Sequence, residues 1–299
     1  MRRDAVALGY SDDELARLTR SGTWSRLRRG AYVEGDMPSD PVEQHRLLVT
    51  ATVSGLRRPA VVSHQSAAVL LDLPLWGVRL DRVHVTRSPP AAQDRSRVLH
   101  CHVARLRPDE LVVVDGLTVT SPVRTLLDMA RSVPFEVAAV ALDGALHRSP
   151  ALADDLRAGL GGLIGVPGGR GAARAVAFAD GRSESVGESR SRVLLSRHGV
   201  APSDIQHGVL DDGLEIARTD FVWEEDGLVG EFDGLIKYGR LLRPGQKPED
   251  AVVEEKLRED AIRDTGWGVV RWIWKDLQQP VLLAERVRRA RERSSRRRR

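Results

Sequence analysis

The sequence predicts a mixed α/β chain of the α+β type with three successive parts. These are two short helices with a hairpin, an α/β domain, and a domain with the element order α-β-β-β-α-β. Helix-capping residues precede apolar residues at helical spacing near the start, and three strand-like runs separated by turns follow residue 200. A chain of 299 residues is also long enough to bury two separate cores.

The opening segment, residues 1–36, is predicted to form a winged helix. Ser11 and Glu14 are spaced as a capping box at the start of a helix that ends at Gly22. The following residues, 24–33, alternate apolar with basic side chains, as a strand does when only one of its faces is buried. The pattern therefore predicts a hairpin after the helices.

This hairpin is the predicted nucleic-acid contact, because arginines on a wing can neutralise the phosphates of DNA. We assign the contact to the positions from Ser25 onwards, with Arg28 and Arg29 as the cations. A solvated edge strand has the same pattern, so both interpretations stay open.

Residues 37–160 are predicted to form an α/β domain. Its helices begin at N-cap and proline signals, and its strands are short apolar runs. The predicted elements are helices over 41–54 and 63–72, strands over 82–87, 98–103 and 117–120, and two helices that begin at Pro122 and Pro134.

Histidines are frequent in this domain, and imidazole is a common metal ligand. His100 and His102 alternate along one predicted strand. Such a pair without a second pair of ligands is more typical of a polar sheet surface than of a metal site. We therefore interpret His100 and His102 as part of a polar sheet surface. The same domain also contains His64, His84 and His147.

A glycine-rich stretch marks the predicted domain boundary. Residues 161–171 contain six glycines and interrupt both helical and strand periodicity. We therefore predict a linker over 161–180 between the α/β domain and a C-terminal domain over 181–285. The stretch lacks the closing Gly-Lys-Ser/Thr of a phosphate-binding loop.

Composition limits the class of protein. The single cysteine, Cys101, excludes a disulfide framework within one chain. The first fifteen residues lack the apolar stretch of a signal peptide, and no run approaches the roughly 18 apolar residues that span a bilayer. We expect a cytoplasmic protein that does not bind membranes.

The net charge of +4 is concentrated in a basic tail. Residues 286–299 contain nine arginines and one glutamate, so the remaining residues are net acidic. Such a tail can bind nucleic-acid phosphates, or it can be a solvated, disordered end, and the sequence leaves both open.

The C-terminal domain has the most informative order of elements. Turn signals at 211–213 and 224–227 separate the second predicted strand from its neighbours. The predicted elements are a helix over 183–198, strands over 205–210, 214–223 and 228–233, a helix over 250–265, and a strand over 269–274.

Strand register predicts that two carboxylates meet. A four-residue loop at 224–227 pairs Trp223 with Leu228, and therefore Asp220 with Glu231. One face of the hairpin then has Asp220, Val222, Val229, Glu231 and Asp233, and the other has Phe221, Trp223, Leu228 and Phe232. A two-residue loop would pair Asp220 with Asp233 and preserve these faces.

Carboxylates that lie opposite one another repel, and a divalent cation relieves the repulsion. The predicted cofactor is Mg²⁺ or Mn²⁺, bound by Asp220 and Glu231, which would activate a water molecule for attack on phosphorus. An acidic hairpin that faces solvent is the alternative.

Three further side chains are candidates for the same site. Glu188 is either a third metal ligand or half of a surface ion pair with Arg192, four residues further along the helix. Lys237 and Lys256 are candidate cations for the scissile phosphate, although Lys256 can instead pair with Asp260.

Residues 183–277 resemble the PD-(D/E)xK nucleases, and among them the very-short-patch-repair-like endonuclease domains. The resemblance implies a restriction-endonuclease-like fold in which Glu188, Asp220 and Glu231 are the catalytic acids. Asp233 stands where the family has a lysine. Catalysis would therefore require Lys237 or Lys256 to supply the cation, or Asp233 to act as an extra ligand.

The N-terminal part resembles the abortive-infection type IV antitoxins, which begin with a winged helix and continue into an α/β antitoxin domain. The matching stretches are 15–20, 28–33 and 62–68, the last followed by Leu73 and Pro74. The resemblance implies DNA binding by the first forty residues and partnership with a toxin.

Two functions follow from these observations. The preferred one is an enzyme, a metal-dependent deoxyribonuclease that acts against foreign DNA and gains affinity from the N-terminal domain and the arginine tail. The alternative is a non-catalytic transcriptional regulator or antitoxin, which the aspartate at position 233 favours. An RNA substrate has no specific signal, because no aromatic stacking platform is evident.

Overall fold

A computed structural model describes residues 1–92, 94–234 and 248–298 of the chain. The chain divides into two compact units. The first contains Met1–Ala141 and Ala151–Ala177, and the second contains Leu142–Pro150 and Phe178–Arg299. The secondary structure is a mixture of helices and three β-sheets, which confirms the predicted mixed α/β class.

The first unit opens with two helices and a hairpin, an arrangement consistent with the predicted winged helix. Its elements are α1 (Arg2–Ala7), α2 (Asp12–Arg20), β1 (Trp24–Arg28) and β2 (Ala31–Glu34). The predicted capping box is present, because Ser11 Oγ accepts from Glu14 N at 3.2 Å and Ser11 N donates to Glu14 Oε2 at 2.8 Å.

A six-stranded sheet follows in the first unit, with the strand order β5-β6-β4-β3-β8-β7. The sequence predicted three of these strands and missed the short strands β3 and β5 and the edge strand β7. The six strands are β3 (Val61–Val62), β4 (Val83–Arg87), β5 (Asp94–Arg95), β6 (Leu99–Val103), β7 (Leu111–Val114) and β8 (Leu117–Thr120).

Helices alternate with these strands and follow them along the chain. The proline and N-cap signals located their starts well, since Asp40 and Ser121 accept hydrogen bonds as N-caps. The helices are α3 (Pro41–Val53), α4 (His64–Leu70), α5 (Pro122–Ala130), α6 (Phe135–Arg148), α7 (Leu152–Gly159) and α8 (Gly169–Phe178).

The glycine-rich stretch is more ordered than a linker, because it leads directly into α8. A Cβ atom at Gly168 would lie 2.0 Å from the carbonyl oxygen of Arg131, and one at Gly169 would lie 2.3 Å from that of Leu163. These glycines therefore permit close approach of backbone segments, a role that has the same sequence signature as a flexible connection.

The second unit has the predicted order α-β-β-β-α-β. Its sheet has the strand order β12-β11-β10-β9, in which β11 and β12 are parallel and the other pairs are antiparallel. The elements are α9 (Val186–Arg197), β9 (Asp204–Asp211), β10 (Leu214–Trp223), β11 (Leu228–Asp233), α10 (Pro248–Asp264) and β12 (Gly268–Ile273).

Each face of this sheet packs in a separate apolar cluster. Phe221, Phe232 and Trp272 belong to one cluster, with residues of α9. Val222 and Val229 belong to the other, with Ile262 of α10. The predicted division of the hairpin residues between two faces is therefore confirmed. Trp272 is 1% exposed, and its indole N–H donates to Ser191 Oγ at 2.8 Å.

The arginine-rich tail forms most of a last helix, α11 (Pro280–Arg298). Its apolar residues, including Leu283, Val287 and Ala290, pack in the same cluster as Phe221. Arg291 pairs with Asp226, and the guanidinium of Arg298 lies 4.5 Å from the ring centroid of Trp267. Within the described residues, the tail is thus packed structure, which contradicts a disordered end.

In the described part of the chain, every helix is too short or too polar to cross a membrane.

Candidate functional site

The hairpin register places the two residues of the predicted metal pair one step beyond its last paired residues. Trp223 pairs with Leu228 and Phe221 with Gly230, so the next positions in the ladder are Asp220 and Glu231. A 3₁₀ turn over Glu224–Asp226 closes the loop, and Gly227 ends it with a φ of +61°. The register predicted from loop length is confirmed.

Glu231 is neutralised by two arginines. It is 8% exposed, and its two carboxylate oxygens lie 2.7 Å from Arg258 Nη2 and 2.7 Å from Arg271 Nη2. Arg258 comes from α10, and Arg271 lies directly opposite Glu231 on the parallel strand β12. Neither arginine was predicted to lie at this site.

Asp220 is also engaged. Its Oδ2 accepts a hydrogen bond from the backbone N–H of Phe232 at 2.7 Å, so the carboxylate joins the two strands beyond their last ladder pair. Asp233, the residue in the lysine position of the nuclease resemblance, ends β11 half-buried. Asp220 therefore has a structural role whether or not it binds a metal.

Glu188 caps its own helix. Its oxygens accept from Ser185 Oγ at 2.7 Å, from Glu184 N at 2.9 Å and from Gln206 Nε2 at 3.0 Å. A Cβ atom at Gly187 would lie 1.9 Å from the Phe232 ring, so α9 lies close against the sheet face opposite Glu231.

The alternative role of Glu188, an ion pair with Arg192, is wrong. Arg192 pairs with the fully buried Asp143 at 2.7 Å, and Glu184 pairs with Arg218 at 2.6 Å. Glu188 and Arg192 both lie within the helix Val186–Arg197, so their spacing is helical as predicted, but each side chain has other partners.

Neither candidate lysine is placed at the acids by the described structure. Lys256 is exposed on α10, although the same helix turns Arg258 and Ile262 toward the sheet. Lys237 lies outside the described residues.

The arrangement does not fit a bound divalent cation. Among the described residues, the ligand oxygens of Glu188, Asp220 and Glu231 do not form a group within 4.8 Å of one another. Both carboxylate oxygens of Glu231 are already occupied by guanidinium groups, so they are not available to a cation. The predicted Mg²⁺ or Mn²⁺ site thus lacks a converging set of available oxygens.

The predicted DNA-contacting arginines differ in their surroundings. Arg28 donates to the backbone carbonyl of Ala51, so it anchors the hairpin to the C-terminal end of α3, and burial lowers its pKa. Arg29 is exposed. Ser25 lies opposite Val33 in the hairpin.

Exposed arginines near the hairpin were missed by the assignment. Arg26 is exposed on β1, and Arg17 and Arg20 are exposed on α2. The residues alternating along β1 and the basic last turn of α2 were the signals that could have found them.

The histidines predicted to share one strand face, His100 and His102, are half-buried and belong to a larger histidine cluster. His64 is 1% exposed, and it stacks on His102 with their ring centroids 3.7 Å apart. His84 and His100 adjoin this pair, whereas His147 lies elsewhere and contacts the carbonyl of Gly181. The sequence located two histidines on one strand face but missed their convergence with His64 and His84.

Comparison with known families identifies the opening segment. Residues 2–35 match the family model described as "Transcriptional regulator, AbiEi antitoxin". The match covers α1, α2 and the hairpin, and it supports a role related to regulators and antitoxins. It gives no support for a nuclease domain.

Two curated relatives come from Mycobacterium tuberculosis, one from strain CDC 1551 / Oshkosh and one from strain ATCC 25618 / H37Rv. Each is 27% identical over 177 residues, or 59% of this chain, and each is described as an uncharacterized protein. The aligned part spans 62% of the length of these relatives.

Proposed function

We propose that the protein is a DNA-binding transcriptional regulator of the antitoxin type. The observation that carries this proposal is the coincidence of the family match over residues 2–35 with a two-helix and hairpin fold. A helix followed by a wing is a common way to place one element in a DNA groove and another against the backbone. An antitoxin also requires a toxin, so a protein partner is part of the proposal.

The exposed arginines Arg26 and Arg29 are the proposed phosphate contacts on the hairpin. They belong to the segment 2–35, which contains seven arginines and five acidic residues. The net positive charge of this segment favours binding to a polyanion. Arg28, which is bound to Ala51, instead fixes the position of the hairpin. The three neighbouring arginines are therefore expected to act differently when they are removed.

The test is selection from a random-sequence duplex library by the full chain, followed by salt-dependent binding measurements on an enriched duplex. We expect one enriched sequence, and we expect Arg26→Ala/Arg29→Ala to reduce the slope of log affinity against log salt by about 1.8, at roughly 0.9 per lost phosphate contact. Arg170→Ala, which removes an exposed arginine of α8, should leave the slope unchanged.

Two outcomes would contradict the proposal. The absence of any enriched sequence would contradict the proposal that the protein is a DNA-binding regulator. An unchanged salt slope in the double variant would contradict the assignment of the hairpin as a phosphate contact. Co-purification of a co-expressed candidate toxin tests the partner, and a toxin that stays active in the presence of the protein would oppose the antitoxin role.

A second candidate is metal-dependent DNA hydrolysis by the second unit, and the register of Asp220 with Glu231 favours it. The arginine pairs of Glu231 weigh against it. Plasmid and single-stranded DNA incubated with Mg²⁺ or Mn²⁺ should stay intact. Cleavage by the wild type that is lost in Asp220→Ala would instead support the nuclease.

A further inference from the structure

Three histidines converge on one face of the six-stranded sheet. The parallel strands β4 and β6 pair His84 with His100 and Thr86 with His102, so these alternate residues share a face. Val83, Val85 and Cys101 occupy the other face and belong to an apolar cluster. His64 directly follows β3 and Ser63. One ring nitrogen of each of His64, His84 and His102 lies within 4.8 Å of the other two.

The spacing of these nitrogens is close to that of a metal site. His84 Nδ1 and His102 Nε2 lie 3.0 Å apart and share a hydrogen bond, which a bound metal ion would replace. Two imidazoles on a tetrahedral Zn²⁺, with Zn–N distances near 2.0–2.1 Å, have their nitrogens about 3.4 Å apart. The rings of His64 and His102 are stacked at an angle of 13°, and lone pairs lie in the ring planes. An ion therefore enters when one of these two rings tilts.

His64 has a ring nitrogen that the protein leaves without a partner. Its Nδ1 lies 3.0 Å from Ser63 Oγ, which accepts from Thr86 Oγ1 at 2.8 Å. Its Nε2 is buried and has no hydrogen-bond partner among the described residues. A buried polar atom without a partner is costly and needs an explanation, and a metal ion would supply the missing partner.

The backbone at His64 is also unusual. Its φ of +54° lies in the left-handed region, which a residue with a Cβ atom rarely adopts. Strain of this kind occurs where the surrounding structure requires a side chain in one place. Here it directs the imidazole toward His102.

A neighbouring amide can orient a second ligand. Gln65 Nε2 lies 2.8 Å from His84 Nε2. Histidines that bind metals usually donate their other N–H to an acceptor, and rotation of the Gln65 amide presents its oxygen to His84. The Nδ1 atom of His84 is then left to face the other two histidines.

The electrostatic surroundings keep the imidazoles uncharged. Burial, together with the neighbouring histidines, lowers the pKa of His102 to about 2, and burial lowers the pKa of His64 well below its usual value. Arg124 and Arg131 also contribute, but both are paired with the buried carboxylate of Asp128, at 2.8 Å and 2.9 Å. Neutral imidazole is the form that binds metals.

We propose that His64, His84 and His102 bind one transition-metal dication, for which Zn²⁺ is the probe. Imidazole ligands suit Zn²⁺ and exclude a site built for Mg²⁺ or Ca²⁺, which prefer oxygen. His100, with its ring centroid 4.0 Å from that of His102, is positioned as an additional ligand or as a neighbour that limits the tilt of that ring.

The test uses the full chain, stripped of metal with a chelator and titrated with Zn²⁺ by calorimetry and with Co²⁺ by visible absorption. We expect one equivalent of Zn²⁺ and the visible bands of Co²⁺ bound by nitrogen ligands. The variants His84→Gln and His102→Gln should each bind Zn²⁺ at least tenfold more weakly, and Gln65→Ala about tenfold more weakly.

The matched control is His207→Gln, which removes a half-buried histidine of the second unit and should bind as the wild type does. Circular dichroism and thermal melting of each variant separate lost binding from lost folding. If His84→Gln does not fold, Gln65→Ala, which removes no ligand, carries the test. Absence of a Zn²⁺ equivalent in the folded wild type would overturn the proposal, as would equal affinities for the wild type and the folded variants.

Discussion

The acidic pair of the second unit and the histidine cluster of the first unit are both groups of potential metal ligands, yet the protein treats them differently. Glu231 has a guanidinium at 2.7 Å from each of its oxygens, and Asp220 accepts a backbone N–H. In the histidine cluster, His64 Nε2 is buried without a partner among the described residues. Both acids have hydrogen-bond or ion-pair partners within the protein, whereas one ring nitrogen of the histidine cluster has none among the described residues.

This difference shows that the meeting of ligand-type residues is a weak indicator of a metal. Like charges across a ladder must be neutralised, but two arginines achieve this as well as a cation does. An orphaned donor or acceptor atom is a stronger indicator, because nothing in the fold offsets its loss of water.

The largest effect is expected when the two arginines that pair with Glu231 are removed. We expect Arg258→Ala/Arg271→Ala to lower the free energy of unfolding by about 4 kcal/mol, because it leaves the carboxylate of Glu231 buried without its two guanidinium partners. Urea denaturation measures this change. Added Glu231→Gln should recover part of the loss because it removes the charge.

A double variant as stable as the wild type would show that the arginines are not what neutralises Glu231. The same double variant also tests whether the arginines take the place of a cation. If they do, Mg²⁺ should stabilise the variant. A thermal midpoint that does not respond to Mg²⁺ would count against that equivalence.

A smaller loss of stability is expected when Ser63, which contacts the histidine cluster, is replaced. Ser63→Ala removes the oxygen that contacts His64 Nδ1 and accepts from Thr86 Oγ1, so two buried polar groups lose a partner. We expect a loss of about 2 kcal/mol in the free energy of unfolding, measured by urea denaturation. Ser54→Ala, at an exposed position after α3, is the control and should have little effect. Equal losses in the two variants would argue against a special role for Ser63.

The smallest expected effect is that of Mg²⁺ on the wild type. Because Glu231 is already neutralised, millimolar Mg²⁺ should leave the thermal midpoint unchanged, whereas Zn²⁺ should raise it through the histidines. Differential scanning fluorimetry with chelator controls distinguishes the two ions. A Mg²⁺-dependent rise that disappears in Asp220→Ala would revive the predicted metal pair.

Local patterns predicted the hairpin of the second unit closely. The strands 214–223 and 228–233 have their predicted bounds, and the four-residue turn pairs Trp223 with Leu228 as predicted. Turn length and alternation determine these features over a few residues, so no long-range information was needed.

The partners of these residues depended on distant contacts. Arg271 reaches Glu231 only because β12 lies parallel to β11 in one particular register, and alternation alone does not specify that register. His64 meets His84 and His102 because of the strand order β6-β4-β3 and the left-handed backbone conformation of His64 itself. Local sequence patterns reveal neither feature. Gly168 resembles a linker residue in sequence because close packing and flexibility both select glycine.

The burial of Trp272 has a practical consequence for following the two units separately. The second unit contains four of the six tryptophans, which are Trp223, Trp267, Trp272 and Trp274. Trp272 is almost completely buried. Intrinsic emission should therefore report mainly on the second unit, with a red shift when its core opens. Replacing Trp24 and Trp76 with phenylalanine would make that optical signal specific to it.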